Sequence, residues 1–356
     1  MKPALRSLHA PAAWTLAFAA AAGACPALAN EPLSVGGVTA KAGEKASGWI
    51  EVPAGVDPGT RIPVSVVNGE KPGPVLALIA GTHGAEYTSI LALPRVLARL
   101  DPEAMSGAVI LVHMACPPTF YGRRVYYGPD GKNLNRVFPG RADGTISDRV
   151  AHALTREVLA NATHVVDMHG GDGNESLRSY SYWMVTGNDA VDRVAKEMNL
   201  AFGLPEIVID RERTTDPAKS VYLSTTAALR GKPAITVESG GMGLSDEPSV
   251  AAQERGAMAV AAFLKIAAAS PARVDPPVWI DRSEVVRTPV TGLWHAAVEK
   301  KDNVAAGALL GRISDPFGKV LHEARAPFAG EVLYVVGTPP VTEGEPLAFV
   351  GRIAAP

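Results

Sequence analysis

Val75-Leu76-Ala77-Leu78-Ile79-Ala80-Gly81-Thr82-His83-Gly84-Ala85-Glu86 runs from an unbroken apolar stretch into a glycine-punctuated turn carrying a histidine and a glutamate. Two other apolar runs end in the same way: Val165-Val166-Asp167-Met168 in His169, and Ala234-Ile235-Thr236-Val237 in Glu238. Short apolar runs bounded by turn residues read as buried strands. From 75 to about 268 such runs alternate with helix-like segments. The predicted strands are Val75–Ala80, Val109–Met114, His164–Met168, Tyr182–Val185 and Ala234–Val237. The predicted helices are Thr88–Leu100, Ser147–Asn161, Ala190–Phe202, Ser220–Arg230 and Ser249–Ala269. This alternation predicts an α/β domain: a mostly parallel, mixed sheet flanked by helices on both faces. In such sheets ligands sit outside the carboxyl ends of the strands, where His83, His169 and Glu238 fall.

The residue types at those ends match a hydrolytic zinc site. Two imidazoles and a carboxylate hold the metal, and a second carboxylate moves the proton. Where a strand enters a helix, residues three apart share a face, so His83 and Glu86 can reach one ion. Taken alone, that pair reads equally as a polar loop closing a strand. Asp167 and His169 point to one face of an extended strand, so Asp167 can orient the imidazole or line the pocket beside it. A carboxylate ending a buried strand, as Glu238 does, is costly without a task or a partner. It would serve as general base, or else pair with Arg230 or Arg136. Gly131-Lys132-Asn133-Leu134-Asn135-Arg136-Val137-Phe138-Pro139-Gly140 places a guanidinium beside an amide, equipment suited to gripping a free carboxylate. Arg123 and Arg124 lie just upstream.

The 356-residue chain is 47% hydrophobic and 20% charged, with a formal net charge of −2. That composition fits a globular protein with a sizeable core and gives no field for nucleic acid or an anionic membrane. Residues 1–29 read as a secretory signal peptide. Lys2 and Arg6 precede an Ala-rich stretch too short to span a bilayer, and Ala27-Leu28-Ala29 is a small-residue cleavage site. The alternatives are a retained anchor or a lipoprotein with Ala22-Gly23-Ala24-Cys25 as a weak lipobox. Cleavage after Ala29 leaves Cys116 as the single cysteine, so no internal disulfide forms. The expected location is outside the cytoplasm, in a bacterial periplasm, with no stable membrane insertion after signal cleavage.

Residues 31–70 carry short β-like runs, and Asn68-Gly69 gives a hairpin turn signal. Residues 30–270 read as the catalytic domain. Ser270-Pro271-Ala272-Arg273-Val274-Asp275-Pro276-Pro277 is a punctuated linker. Beyond it, 271–356 reads as a small all-β module without helical periodicity. Pieces 302–313 and 342–353 share a pattern of charge, Gly, Leu and aliphatic residues and suggest an internal duplication.

Taken together, His83-x-x-Glu86, Asn133-Leu134-Asn135-Arg136, His169 and Glu238 resemble the succinylglutamate desuccinylase/aspartoacylase family, within the wider zinc carboxypeptidase-like group. The resemblance covers most of the mature chain. It implies His83, Glu86 and His169 as ligands of one zinc ion and Glu238 as general base and then acid. It also implies Asn135 and Arg136 as a substrate-carboxylate clamp, and Arg124, in preference to Arg123, as the group polarising the scissile carbonyl. The C-terminal module is similar to the family's small barrel, of biotinyl/lipoyl shape. A substrate-closing Tyr is sought among Tyr180, Tyr182 and Tyr222. The leading expectation is a zinc-dependent amidohydrolase acting on an N-acyl amino acid or a similar small molecule with a free carboxylate. Cobalt or manganese suits the same ligands. The alternatives are a periplasmic carboxypeptidase or murein-peptide amidase and, from another class, an exported solute- or metal-binding protein. The oligomeric state, a homo-oligomer included, is left open.

Overall fold

The computed structural model describes residues 31–122, 128–270 and 275–354. The expected signal peptide and the Arg123/Arg124 pair lie outside the described residues. Within them, no helix is long and apolar enough to cross a membrane.

The strands of the main sheet are β1 (Glu44–Val52), β2 (Thr60–Asn68), β3 (Lys71–Ala80), β4 (Ser106–Val112), β5 (His164–His169), β6 (Tyr180–Met184), β7 (Glu206–Asp210) and β8 (Ala234–Glu238). Their order across the sheet is β7-β6-β8-β5-β3-β4-β2-β1. The core pairs β8/β5, β5/β3 and β3/β4 are parallel, while β8/β6, β4/β2 and β2/β1 are antiparallel. This is the mixed α/β sheet that the alternation predicts. One turn differs. Asn68-Gly69 does not close a hairpin, because β2 and β3 both pair with β4, which lies between them. Gly69 N–H donates instead to Gly107 O at 2.7 Å, tying the turn to the start of β4.

Besides a short helix at Pro117–Tyr121, the helices are α1 (Tyr87–Arg99), α2 (Ile146–Ala153), α3 (Asp189–Phe202), α4 (Leu223–Ala228) and α5 (Glu247–Phe263). The single helix expected over 147–161 instead changes to a π-helical stretch at Leu154–Leu159. Strand alternation sorts side chains onto the two faces. Ala77 and Ile79 of β3 join Val150, Leu154 and Leu223 in one core. Leu76, Leu78 and Ala80 join Leu93, Phe202 and Val260 in the other. Helices thus cover both faces, and the sheet's polar chemistry is left to the strand ends.

The C-terminal segment forms β9 (Val278–Arg287), β10 (Gly292–Ala296), β11 (Leu309–Ser314), β12 (Val320–Arg325), β13 (Gly330–Val336) and β14 (Pro346–Ile353). It does not hang off the catalytic sheet. β9 pairs in parallel with β7 and antiparallel with β14, so the thirteen-stranded sheet runs on through the module. β10, β11 and β12 belong to a separate four-stranded sheet. These two sheets, rather than a closed barrel, are what the pairings of the described residues define. The suspected duplication has a structural counterpart. Asn303–Val304 leads through a turn at Gly307 into β11, and Pro340–Val341 leads through a turn at Gly344 into β14.

Leu177, Tyr180, Val208, Ile280, Leu333, Tyr334 and Phe349 pack into one apolar cluster across the junction. Beside it Arg178 bridges two carboxylates, Glu206 of β7 and Glu331 of β13. Glu206 is fully buried. Burial and the neighbouring Glu331 push its carboxyl up to about 7, against the pull of Arg178.

Candidate metal and hydrolytic centre

Strand register assembles the site. Ala80 of β3 pairs with Met168 of β5, and His169 of β5 pairs with Glu238 of β8. Three neighbouring strands therefore deliver their last residues to one edge of the sheet. After Ala80 the chain turns at Gly81, whose φ of +71° favours glycine. At Gly84 an added Cβ would lie 2.3 Å from the Thr119 carbonyl carbon, so only glycine lets the turn approach that backbone. The turn sets Glu86 at the N-cap of α1, three residues along a non-helical turn from His83.

Glu86 stands between the two imidazoles. Its Oε1 lies 2.7 Å from His83 Nδ1 and its Oε2 lies 2.7 Å from His169 Nδ1. All three side chains are buried. Burial would raise the Glu86 carboxyl, but His169 and His83 outweigh it and hold the group at about 2. One ligand atom from each residue falls within 4.8 Å of the others. Two imidazole nitrogens and a carboxylate oxygen, converging in a buried site, form a donor set that fits zinc.

The far side of each imidazole is also held. His83 Nε2 lies 3.0 Å from Asn133 Oδ1. His169 Nε2 lies 2.9 Å from Asp167 Oδ1, close enough for ion pairing but not aligned as a hydrogen bond. Burial would lower the His169 imidazole, yet Asp167 and Glu86 raise it well above the usual value. Gln253 Nε2 from α5 donates to the His169 carbonyl at 2.5 Å.

Glu238 borders the same cavity, of about 460 Å³, as His83 and Glu86. Burial raises its carboxyl well above the usual range. His169 pulls down, while Glu86, Glu175 and Asp167 push further up. Neither arginine weighed as its partner meets it: Arg230 Nη1 donates to Thr226 O, and Arg136 Nη1 donates to Asn135 O. Tyr180 and Tyr182 line the cavity, whereas Tyr222 packs under Arg136, 4.4 Å from guanidinium carbon to ring centroid.

The 130–148 segment is tied down before it reaches the site. Asp130 accepts hydrogen bonds from Thr145 Oγ1 at 2.6 Å and Ser147 Oγ at 2.8 Å, and Lys132 meets Asp148 at 2.5 Å. Arg136 borders the cavity, together with Lys132 and Asn133. Asn135 is placed differently. Its Oδ1 accepts Leu223 N–H at 2.8 Å, and its Nδ2 lies 3.5 Å from Asp167 Oδ2 and 3.3 Å from His169 Nε2. Its amide thus joins the start of α4 to the Asp167–His169 pair.

Several lining residues escaped the sequence reading. Asp172 and Glu175 follow His169 in a glycine-rich turn, and Val285, Arg287, Tyr334 and Pro346 come from the C-terminal module. The Asp172 carboxyl is raised well above the usual range by burial and by Glu86, Glu175 and Glu238. A separate groove of about 620 Å³ over Trp49, Arg61 and Tyr121 shares none of these residues.

A model of the succinylglutamate desuccinylase/aspartoacylase catalytic domain matches residues 72–264. An N-alpha-acetyl-L-2,4-diaminobutyric acid deacetylase from Halomonas elongata is 31% identical over 262 residues, which are 71% of this chain and 74% of that protein. The product-bound ectoine utilization protein EutE (DoeB) from Ruegeria pomeroyi superposes with a TM-score of 0.79 at 26% identity, covering 91% of this chain and 100% of that one. A succinylglutamate desuccinylase/aspartoacylase from Rhodobacter sphaeroides gives 0.77 at 25% identity, covering 88% and 96%.

Proposed function

The chain belongs to the succinylglutamate desuccinylase/aspartoacylase family of deacylases, and from that premise we propose that it is a zinc-dependent hydrolase of N-acyl amino acids. The observation that carries this reading is the convergence of His83, Glu86 and His169 beside Glu238 in one cavity. His83, Glu86 and His169 would hold the metal. Zinc, when bound, polarises a carbonyl oxygen and eases the deprotonation of water.

The remaining work falls to the chain's own groups. Asp167 and Asn133 fix the imidazole planes from behind. Glu238 accepts the proton of the attacking water and delivers it to the nitrogen of the leaving amine. The products are a carboxylate and an amine. Arg136 receives the substrate's free carboxylate, with Arg287 on the cavity wall beside it. Asn135, with its amide engaged by Leu223 and the Asp167–His169 pair, supports the site from inside. Tyr180, paired in register with Glu238, and Tyr182 line the cavity and are the candidates for contacting the substrate. Arg124 is the proposed carbonyl-polarising arginine, on the family resemblance alone. Export of the mature chain from residue 30 rests on its N-terminal sequence, and cell fractionation tests it.

The direct test is amine release by the zinc-loaded protein from N-acyl amino acids and C-terminal dipeptides, with Glu238→Gln alongside. The wild type should turn over N-acyl amino acids. The variant should keep its zinc and lose about 10²–10⁴-fold in kcat, the range that a general base supplies. A variant with near-normal rates would sink the assignment of Glu238. Cleavage confined to dipeptides would move the enzyme to the carboxypeptidase class.

A further inference from the structure

One wall of the cavity has no part in the chemistry above. Asp172 is three residues past His169 and only 1% exposed, yet it borders the cavity. Its Oδ1 is buried without a hydrogen-bond partner. Native interiors rarely leave such an atom unmatched, so this one calls for a partner, whether a water, an ion or a ligand donor. Glu175 stands next to it on the same wall, its Oε2 accepting the Asp172 backbone N–H at 3.3 Å. Arg136 and Arg287 also border the cavity, so one space has both an anionic and a cationic lining.

Burial and the neighbouring Glu86, Glu175 and Glu238 raise the Asp172 carboxyl well above the usual range; a positively charged donor would both fill the orphan oxygen and stabilise the ionised form, which a neutral donor would not. A second metal ion is a poorer fit. Among the described residues, the cluster with metal-ligand spacing is His83, Glu86 and His169, and Asp172 and Glu175 lie outside it. An ammonium offers three donors and needs no fixed coordination geometry.

We propose that Asp172, with Glu175 beside it, forms a subsite for a primary ammonium group of the substrate. The preferred substrates are then zwitterionic amides, with a carboxylate held by Arg136 and a cationic nitrogen held by Asp172. This rests on the hydrolase reading of the site. The ammonium can belong to the amino acid that leaves or to the acyl group, and isosteric pairs separate the two sources. N-acetyl-2,4-diaminobutyrate against N-acetylnorvaline tests the leaving side, and glycylnorvaline against propionylnorvaline tests the acyl side.

For one of these pairs the zinc-loaded wild type should favour the cationic member by about tenfold to a hundredfold in kcat/KM, the factor that a hydrogen bond to a charged group carries. Asp172→Asn should bring that ratio toward one. Glu175→Gln should reduce it, and carries the test alone if the first variant does not fold. Calorimetric binding of 2,4-diaminobutyrate, glycine and norvaline, with and without Asp172→Asn, gives a readout that needs no turnover. A wild type indifferent to charge in both pairs would overturn the subsite, as would an Asp172→Asn enzyme that keeps the full preference. Asp172-dependent cation binding without hydrolysis of any amide would leave the subsite standing and remove the hydrolase reading instead.

Discussion

Replacing Arg178 by Met would keep much of the stem's packing and delete the cation between Glu206 and Glu331. Glu206 is fully buried and Glu331 is 5% exposed, so neither carboxylate can turn to water. Breaking a buried pair by removing one partner usually costs about 3–5 kcal/mol. That loss should appear in full only at alkaline pH. Glu206 sits at about 7, above its ordinary 4.5. A carboxyl raised in the folded state contributes stability that is fully present below its unfolded value and is lost as pH rises through the folded value. In the wild type that loss reaches about 3 kcal/mol between pH 4.5 and 7. Without Arg178 the group rises further and the loss grows. Urea denaturation of both proteins at about pH 5, 6.5 and 8 should therefore show a gap that is small at pH 5 and widens to about 3–5 kcal/mol at pH 8. Because Arg287 and Tyr334 reach the cavity from the module held by this bridge, KM should rise along with the instability. A gap of the same size at every pH, or one under about 1 kcal/mol at pH 8, would refute the reasoning.

Asp167→Asn removes the negative charge behind His169 and should weaken zinc binding by about 10–100-fold, measured by competition with a chelator. In the metal-free protein His169 is held protonated by Asp167 and Glu86, so zinc uptake must release that proton. Zinc affinity should accordingly tighten as pH rises from about 6 to 9, and a flat profile would count against His169 as a ligand. Gly84→Ala drives a Cβ into the Thr119 backbone and should destabilise the fold by about 1–3 kcal/mol, with loss of zinc from the purified protein. Unchanged thermal stability and zinc content would show that the turn can give way.

The parts of the site legible in the sequence are those that local pattern controls. A buried strand must end, and at a parallel sheet's carboxyl edge its last residue is displayed. His83, His169 and Glu238 could therefore be picked out without knowing which strands are neighbours. The contribution of β9, β13 and β14 could not. Arg287 and Tyr334 reach the cavity because β9 pairs with β7 across a gap of some seventy residues, a long-range register that no local period records. Asp172 is not legible in the sequence, because a glycine-flanked aspartate reads as an ordinary turn residue until its burial is known. Asn135 shows the converse. Its type and neighbour suit a carboxylate clamp, but which way an amide faces depends on Leu223, far along the chain. The Asn68-Gly69 dipeptide suggests a hairpin, but β4 pairs with both strands, one on each of its edges, a long-range choice that the dipeptide does not encode.

The unbroken sheet also bears on how this protein can be dissected. A fragment ending near residue 275 would retain every proposed zinc ligand, yet it would not be the catalytic unit in smaller form. Its β7 would become an open edge, with Ile207 and Val208 stripped of cover and the Glu206 carboxylate facing solvent without Arg178's second partner. Bare edges of that kind recruit strands from other molecules. Truncation should yield a sticky protein before it yields a minimal enzyme. An insertion or tag is better tolerated at the exposed Phe317 turn between β11 and β12, in the separate four-stranded sheet, than anywhere along the junction.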